Sequence, residues 1–213
     1  MQQGGSVLLS TAFFAPVYYF HYILQAGEIF IEKHENFIKQ TYRNRCVIEA
    51  ANGALTLTVP VENGRSSGVK ITDTRIANHL PWQRNHWRSL QSAYGNSPFF
   101  DFIADDIEPF FSRKYDFLFD YNCEITRTLL SLLDIKKDFG FTEAFEQMLP
   151  HTCNLREKIS PKIKIEDIEP DYVPVVYTQV FEDKFPFIPN LSILDLLFCT
   201  GPEAKTILAG SFI

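Results

Sequence analysis

Two short segments concentrate the side chains of this chain that could do chemistry. In the first, Lys39-Gln40-Thr41-Tyr42-Arg43-Asn44-Arg45, one ammonium and two guanidinium forks stand close together, with an amide between the forks. An arginine fork meets two oxygens of a phosphate or carboxylate at once, and lysine adds a point charge. The group therefore suits an anionic small molecule, with Asn44 fixing its orientation. On an extended strand Arg43 and Arg45 share a face and Asn44 points away; on a helix Lys39 and Arg43 share a face instead. A solvated charged face accounts for the same residues.

The second segment runs from Trp82 through His86 and Arg88 to Tyr94. At helical spacing Trp82 and His86 stack, with Leu90 a turn further on. His86 titrates near neutral pH and so suits a general base; equally, an imidazole against Trp82 is a hydrogen-bonded core residue. Cys46 has no visible activating base. Asp105-Asp106 and Asp167 with Asp171 could each hold a divalent ion, but solvated surface is the better reading of both pairs. Asn122 reads as a helix cap, and Ser192 with Asp195 has the form of a capping box. The sequence holds no G-x-S-x-G elbow, phosphate-binding glycine loop, dinucleotide turn, H-E-x-x-H or C-x-x-C, so it names neither a metal nor a cofactor.

The elements that must position these groups follow from periodicity and breakers. Residues 7–14 read as a buried strand, 17–25 as a helix opened by Pro16 and closed by Gly27, and 28–32 as a second strand, which makes an α/β unit at the N-terminus. Asn52-Gly53 between residues 47–50 and 54–61 is a hairpin signal, with Leu55, Leu57, Val59 and Val61 on one face. Residues 69–71 and 74–76 read as short strands. Helices are expected from Pro81 to Tyr94, over 99–111, over 120–133 and over 142–149. Residues 150–175 read as an extended connection with at most a short strand at 163–165. Residues 175–181 read as a strand, and helices follow Ser192 and Pro202.

Composition sets the outer limits. The chain has 213 residues, 46% of them hydrophobic and 15% aromatic, including 20 Phe. That is enough for a thick, ring-filled core or a concave site lined with rings. A net charge of −6 argues against general nucleic-acid binding, yet residues 36–100 carry eight basic and three acidic side chains, a local imbalance that again favours a small anion. Cys46, Cys123, Cys153 and Cys199 lack metal or redox spacing and read as free thiols of a reducing compartment. No Lys or Arg precedes the apolar stretch 7–24, and Pro16 and His21 interrupt it. A signal peptide or membrane span is therefore not expected, and the expected location is the cytoplasm.

Taken in order, the motifs resemble a known family. Phe37-Ile38-Lys39 and Tyr42-Arg43-Asn44-Arg45 are followed by Leu57-Thr58-Val59-Pro60-Val61, then Trp82 and His86, then Tyr94 with Pro98-Phe99-Phe100. Residues 190–198, Asn-Leu-Ser-Ile-Leu-Asp-Leu-Leu-Phe, and Gly201-Pro202-Glu203 complete the set. Together they resemble the WbqC-like family of bacterial proteins, from about Ser6 to Leu208. That family is associated with biosynthesis of O-antigen and other surface polysaccharides. The resemblance raises Lys39, Arg43, Asn44, Arg45, His86, Tyr94, Ser192 and Asp195 as site candidates. The chain departs from the family's first motif, Q-P-x-Y-x-P-W, keeping Pro16 and an aromatic but neither Gln nor Trp. It also has His34-Glu35-Asn36 where many members have Asp-x-Val-Gln.

The expectation is a mixed α/β (α+β) fold: a strand-rich N-terminal part, a helical middle and C-terminal helices. Residues 1–213 form one domain, divisible at most into 1–80 and 81–213. The site is expected where residues 39–45 meet the helix that carries His86. The resemblance implies a setting in surface-glycan synthesis, and the leading expectation within it is a transferase that acts on a nucleotide-activated sugar. His86 and Asp195 would be catalytic, and Lys39, Arg43, Asn44, Arg45, Tyr94 and Ser192 would bind substrate. Partners would be the anionic small molecule and proteins of the glycan pathway. The alternative is a non-catalytic binding or assembly protein of the same pathway.

Overall fold

The computed structural model describes residues 4–62, 68–145 and 152–210. The chain opens with strand β1 (Ser6–Ser10), helix α1 (Val17–Gln25) and strand β2 (Glu28–Glu32). β1 and β2 pair in parallel, with Ser6 opposite Glu28 and Ser10 opposite Glu32. Parallel neighbours require a crossover, and α1 supplies it. Its seven residues from Val17 to Ile23 are all buried, as a helix between a sheet and other helices must be. Lys137 closes its C-terminal end by donating to the carbonyls of Leu24 and Ala26 at 2.6 and 2.7 Å, a charge placed where the helix leaves carbonyls unpaired.

The first strand ends at Ser10, short of the expected residue 14. Phe14 turns the chain with φ +39°. In an extended strand Phe13 and Phe14 would face opposite ways; the turn lets both rings enter one core, edge to face with centroids 4.9 Å apart. Two further strands complete the sheet. β5 (Gly140–Phe141) pairs with β2, and β6 (Thr152–Asn154) pairs with β1. The order is β5-β2-β1-β6, all parallel. The strand expected at 163–165 is absent: helix α6 (Ile165–Ile168) begins there, and the edge of β1 is filled by β6 instead. Residues 142–145 are not helical; the remainder of the helix expected at 142–149 lies outside the described residues.

A separate hairpin, β3 (Arg45–Ala50) and β4 (Gly53–Thr58), stands beside this sheet. Gly53 takes φ +98° in the turn, a conformation open to glycine at no steric cost. Leu57 and Val59 are buried as expected, but Leu55 is 38% exposed because it sits towards the hairpin tip, with exposed Ala54 beside it. The strands expected at 69–71 and 74–76 are instead a 3-10 turn, Ile71–Asp73, flanked by single bridges from Lys70 to Asn36, Arg75 to Phe117 and Ile76 to Val61.

The helical middle follows the expected order. α2 spans Trp82–Tyr94, and Gly95 ends it. The helix expected over 99–111 is two, α3 (Phe100–Ile107) and α4 (Pro109–Ser112). Pro109 has no N–H to continue the first. α5 spans Leu118–Leu132, α7 Ile193–Thr200 and α8 Ala204–Ala209, with a 3-10 turn at Gly201–Glu203 between the last two. The strand expected at 175–181 is absent; that stretch belongs to a connection without regular structure, residues 173–190. One apolar cluster runs from Val7 of β1 to Leu208 of α8. Its centre is ringed, with Phe13 against Tyr121 and Phe14 against Phe111. Among the described residues no helix is long and apolar enough to cross a membrane.

Candidate functional site

The chain runs outward from β1 through β2 to β5 and then returns to the other side of β1 as β6. The carboxyl ends of β1 and β6 therefore flank the point where strand order reverses, the place where open α/β sheets leave a crevice. Four charged side chains meet there. Ser10 is the last residue of β1 and Glu32 the last of β2, opposite one another in the register; Arg156 lies two residues beyond β6, and the loop between β2 and β3 brings Glu35 and Arg43.

Arg43 grips Glu35 with both sides of its fork, Nε to Oε1 at 2.9 Å and Nη2 to Oε2 at 2.5 Å. Nη2 also donates to Ser10 Oγ at 2.7 Å. That hydroxyl lies 2.9 Å from Glu35 Oε2 and 3.0 Å from the Arg156 carbonyl, either of which can take its proton. Arg156 donates to Glu32 Oε2 at 2.6 Å, and Glu32 Oε1 accepts from the Thr142 hydroxyl and the His34 N–H. Exposure of Glu32, Glu35, Arg43 and Arg156 is 0, 5, 4 and 6%. Charges this deep persist only when paired and hydrogen-bonded. Burial pushes the Glu35 carboxyl above its usual range, opposed by Arg43 and Ser10. Ser10, Thr11, Tyr42, Arg43 and Arg156 line a shallow pocket over this network.

The rest of the basic segment surrounds it. Asn44 is buried and donates to the Val59 carbonyl at 2.9 Å, while its Oδ1 has no partner. Arg45 is half-buried at the start of β3, opposite Thr58, and its Nε is likewise unpartnered. Lys39 is exposed. Asn122 does not cap a helix: α5 begins at Leu118, so Asn122 lies inside it, and its amide donates to the Arg43 carbonyl at 2.7 Å. α5 thus holds the backbone that aims Arg43.

His86 stands a short step away. Its ring lies 5.3 Å from Trp82, at the expected helical spacing, and 6.2 Å from Phe13, whose N–H donates to the Tyr42 carbonyl. Residues 39–45 and α2 therefore approach one another through Phe13, not through a direct bond from His86. His86 Nδ1 and Trp82 Nε1 are buried without partners. Burial lowers the His86 pKa to about 4. The imidazole is neutral at pH 7, and its folded pKa lies below the ordinary value of 6.5. The unfolded chain therefore binds the proton first as pH falls. The stability due to neutral His86 is whole above pH 6.5 and drains away between about 6.5 and 4. In His86→Phe, urea midpoints followed across that interval should fall less steeply than in the parent protein; parallel curves would show that His86 does not contribute.

The remaining candidates form a second cluster. Ser192 caps α7, its hydroxyl 3.4 Å from the Leu194 N–H, and it donates to the Phe14 carbonyl at 2.8 Å. The capping box is only half made. Asp195 does not reach back to the Ser192 N–H, which donates to the Val47 carbonyl across the hairpin at 2.7 Å. Asp195 is wholly buried and accepts from Tyr94 Oη at 2.8 Å, Tyr177 Oη at 2.6 Å and Gln179 at 3.0 Å. Burial raises its carboxyl and these donors oppose the rise. Tyr94 Oη also accepts the Glu49 N–H, so one phenol joins α2, β3 and α7. The Glu49 carboxylate is raised by burial and by Asp195, and its Oε2 accepts the Phe181 N–H at 3.3 Å.

The structure thus separates the eight candidates. Arg43 belongs to the carboxyl-edge network, with Asn44, Arg45 and Lys39 beside it in the chain, and His86 sits in the adjoining ring box. Tyr94, Ser192 and Asp195 belong to the α2–α7 cluster. Ser10, Glu32, Glu35 and Arg156 escaped the sequence reading. For Ser10 and Glu32 the signal was the polar residue closing each of the first two strands of a β-α-β unit; Glu35 and Arg156 carried none. Among the described residues no group of three His, Cys, Asp or Glu could hold a metal ion, and all four cysteines are free.

A family model described as the WbqC-like protein family matches residues 11–168. The match takes in Lys39, Arg43, Asn44, Arg45, His86, Tyr94, Glu32, Glu35 and Arg156, and leaves Ser10, Ser192 and Asp195 outside. It is narrower than the resemblance read from Ser6 to Leu208. The chain is also 27% identical over 210 residues to the uncharacterized protein Rv1507c of Mycobacterium tuberculosis, covering 87% of this chain and 89% of that one. No solved structure matches.

Proposed function

The chain belongs to the WbqC-like protein family, and from that premise we propose that it is a transferase of bacterial surface-polysaccharide biosynthesis acting on a nucleotide-activated sugar. One observation supports this reading above the others: a serine and two arginines, Ser10, Arg43 and Arg156, line a narrow cleft of about 10 Å³ at the carboxyl ends of β1 and β6, where ligands of open α/β sheets bind; a substrate has to widen it to enter. Glu35 and Ser10 engage Nε and Nη2 of Arg43, and Nη1 is the nitrogen left for a phosphate oxygen. Lys39 and Arg45 supply the further positive charge, and Asn44 orients the sugar. His86 takes the proton of the attacking group. A bound anion beside the imidazole raises its pKa from about 4 towards the range in which a general base works well. Tyr94, Ser192 and Asp195 act as positioning residues, holding α2, β3 and α7 together.

The test is a thermal-shift screen of the purified protein against nucleotide sugars, acyl-CoA donors and free nucleotides. A ligand at 100 times its dissociation constant adds about 2.7 kcal/mol. Lys39→Ala and Arg45→Ala lie outside the buried ion pairs and should leave the unliganded melting temperature unchanged. Each should weaken binding by about ten- to a hundredfold, the worth of a charge-assisted hydrogen bond of roughly 1.5–3 kcal/mol. His86→Asn should retain binding and lose turnover.

A second reading, a non-catalytic binding or assembly protein of the same pathway, is favoured by one specific observation. Arg43 and Arg156 are already neutralised by Glu35 and Glu32. Silence across the whole panel from a well-folded sample, with a glycan-pathway protein retained instead, would establish it over the transferase.

A further inference from the structure

On the helical side of the molecule a second concavity shares no lining residue with the pocket at the carboxyl edge of the sheet. Its volume is about 570 Å³, within the range of small-molecule sites. The walls come from separate elements: Phe99 and Ile103 at the start of α3, Leu132 and Leu133 at the end of α5, and Leu197 of α7. Phe102 stands at the mouth, 79% exposed.

The shape is built into the backbone. Gly201 takes φ +51°, and a Cβ there would fall 2.4 Å from the Phe99 ring. The ring lies flat against bare backbone, and any other residue would drive it from its place. Asp134, at the opposite rim, also holds a left-handed conformation, with φ +47°. Backbone strain of this kind persists where the surroundings impose it.

The chemistry of the lining selects the ligand. The charged side chains of the lining are Lys205 and Asp134, and they satisfy each other: the ammonium donates to the Asp134 carbonyl at 2.5 Å and to its carboxylate at 3.1 Å. The pair is exposed at the rim and its charges cancel, so the lining offers no net charge to an ionic head. Nor does the site suit a protein partner. Of the large apolar side chains exposed on the described surface, Phe102 alone belongs to this lining, and a stable protein interface needs roughly 800 Å² from each side. We infer that this pocket binds the hydrocarbon chain of an amphiphile with an uncharged head. The inference does not depend on the transferase reading, because it uses neither the carboxyl-edge network nor His86.

The probe is 1-decanol, with decanoate as its charged counterpart, titrated into the full chain and followed by methyl NMR. Saturable 1:1 binding is expected, with shifts concentrated in the methyls of Ile103, Leu132, Leu133 and Leu197. Thr206 lines the pocket from an exposed position on α8, so Thr206→Trp fills the space without entering the core. That variant should keep its melting temperature and bind decanol at least tenfold more weakly. Decanol should bind no more weakly than decanoate. Absence of saturable binding, unchanged affinity in Thr206→Trp, or a tenfold preference for decanoate would each overturn the inference.

Discussion

Arg43→Ala should destabilise the protein by about 3–5 kcal/mol, the usual penalty for stripping one partner from a buried ion pair. In a chain of this length the melting temperature should fall by roughly 6–20 °C. The cause is less the lost attraction than what remains: Glu35 buried at 5% exposure with its bidentate partner gone, beside a Ser10 hydroxyl deprived of its donor. Glu35→Gln should cost less, because a neutral amide can stay buried with fewer partners. The double variant Glu35→Gln/Arg43→Met should recover part of the loss, since replacing both charges removes the stranded one. Thermal denaturation of the parent, Arg43→Met, Glu35→Gln and the double variant gives the coupling directly. A single Arg43→Ala variant melting within about 2 °C of the parent would contradict a buried pair.

Asp195→Ala should release the connection formed by residues 173–190. That segment has no sheet or helix ladder of its own, and Tyr177 and Gln179 tie it to the Asp195 carboxylate. Removing the acceptor strands three buried donors, each worth about 1–3 kcal/mol when left unpaired. Some will find water once the segment loosens, so the measured loss should be smaller than their sum. The sharper signature is local: trypsin should cut at Lys184, which is exposed within the segment, many times faster than in the parent protein. Asp195→Asn should lie between the two, because it keeps the shape but turns an amide N–H towards groups that are themselves donors. Cleavage at Lys184 at the parental rate would mean that the segment is held without Asp195, by its apolar contacts and the Phe181 bond to Glu49.

The elements that carry their own local signal were legible in the sequence. α1, β2 and α2 have the expected bounds, because Pro16, Gly27, Pro81 and Gly95 mark their ends whatever the surroundings. The hairpin followed from Asn52-Gly53 in the same way. What could not be read was pairing at long range. β6 has only three residues and no pattern of its own; it is a strand because β1 offers an open edge. The connection 173–190 shows the converse, a stretch of strand-like composition that found no edge to join. The candidate site divides along the same line. Arg43 and its neighbours stood out as a local cluster, whereas Glu35 and Arg156 come to Ser10 only through the parallel sheet and stand in no local pattern. Asp195 was seen but misread, since a hydroxyl followed three residues later by an acid fits a cap as well as it fits a carboxylate held by two tyrosines.

The order of strands has a further consequence for how the protein is made. β1 lies in the interior of the sheet, yet one of its neighbours, β6, is encoded about two thirds of the way along the chain. At ~5–20 residues per second, a nascent chain waits on the order of ten seconds or more between the two. Through that interval Ser6, Val7 and Leu8 present an unpaired edge, the kind of surface that invites the wrong neighbour. The same delay keeps Arg156 from Glu32, so two halves of one buried charge network leave the ribosome far apart in time. Chains stalled before residue 152 should therefore behave as clients of chaperones, and the sheet is finished only when its last strand, three residues long, arrives.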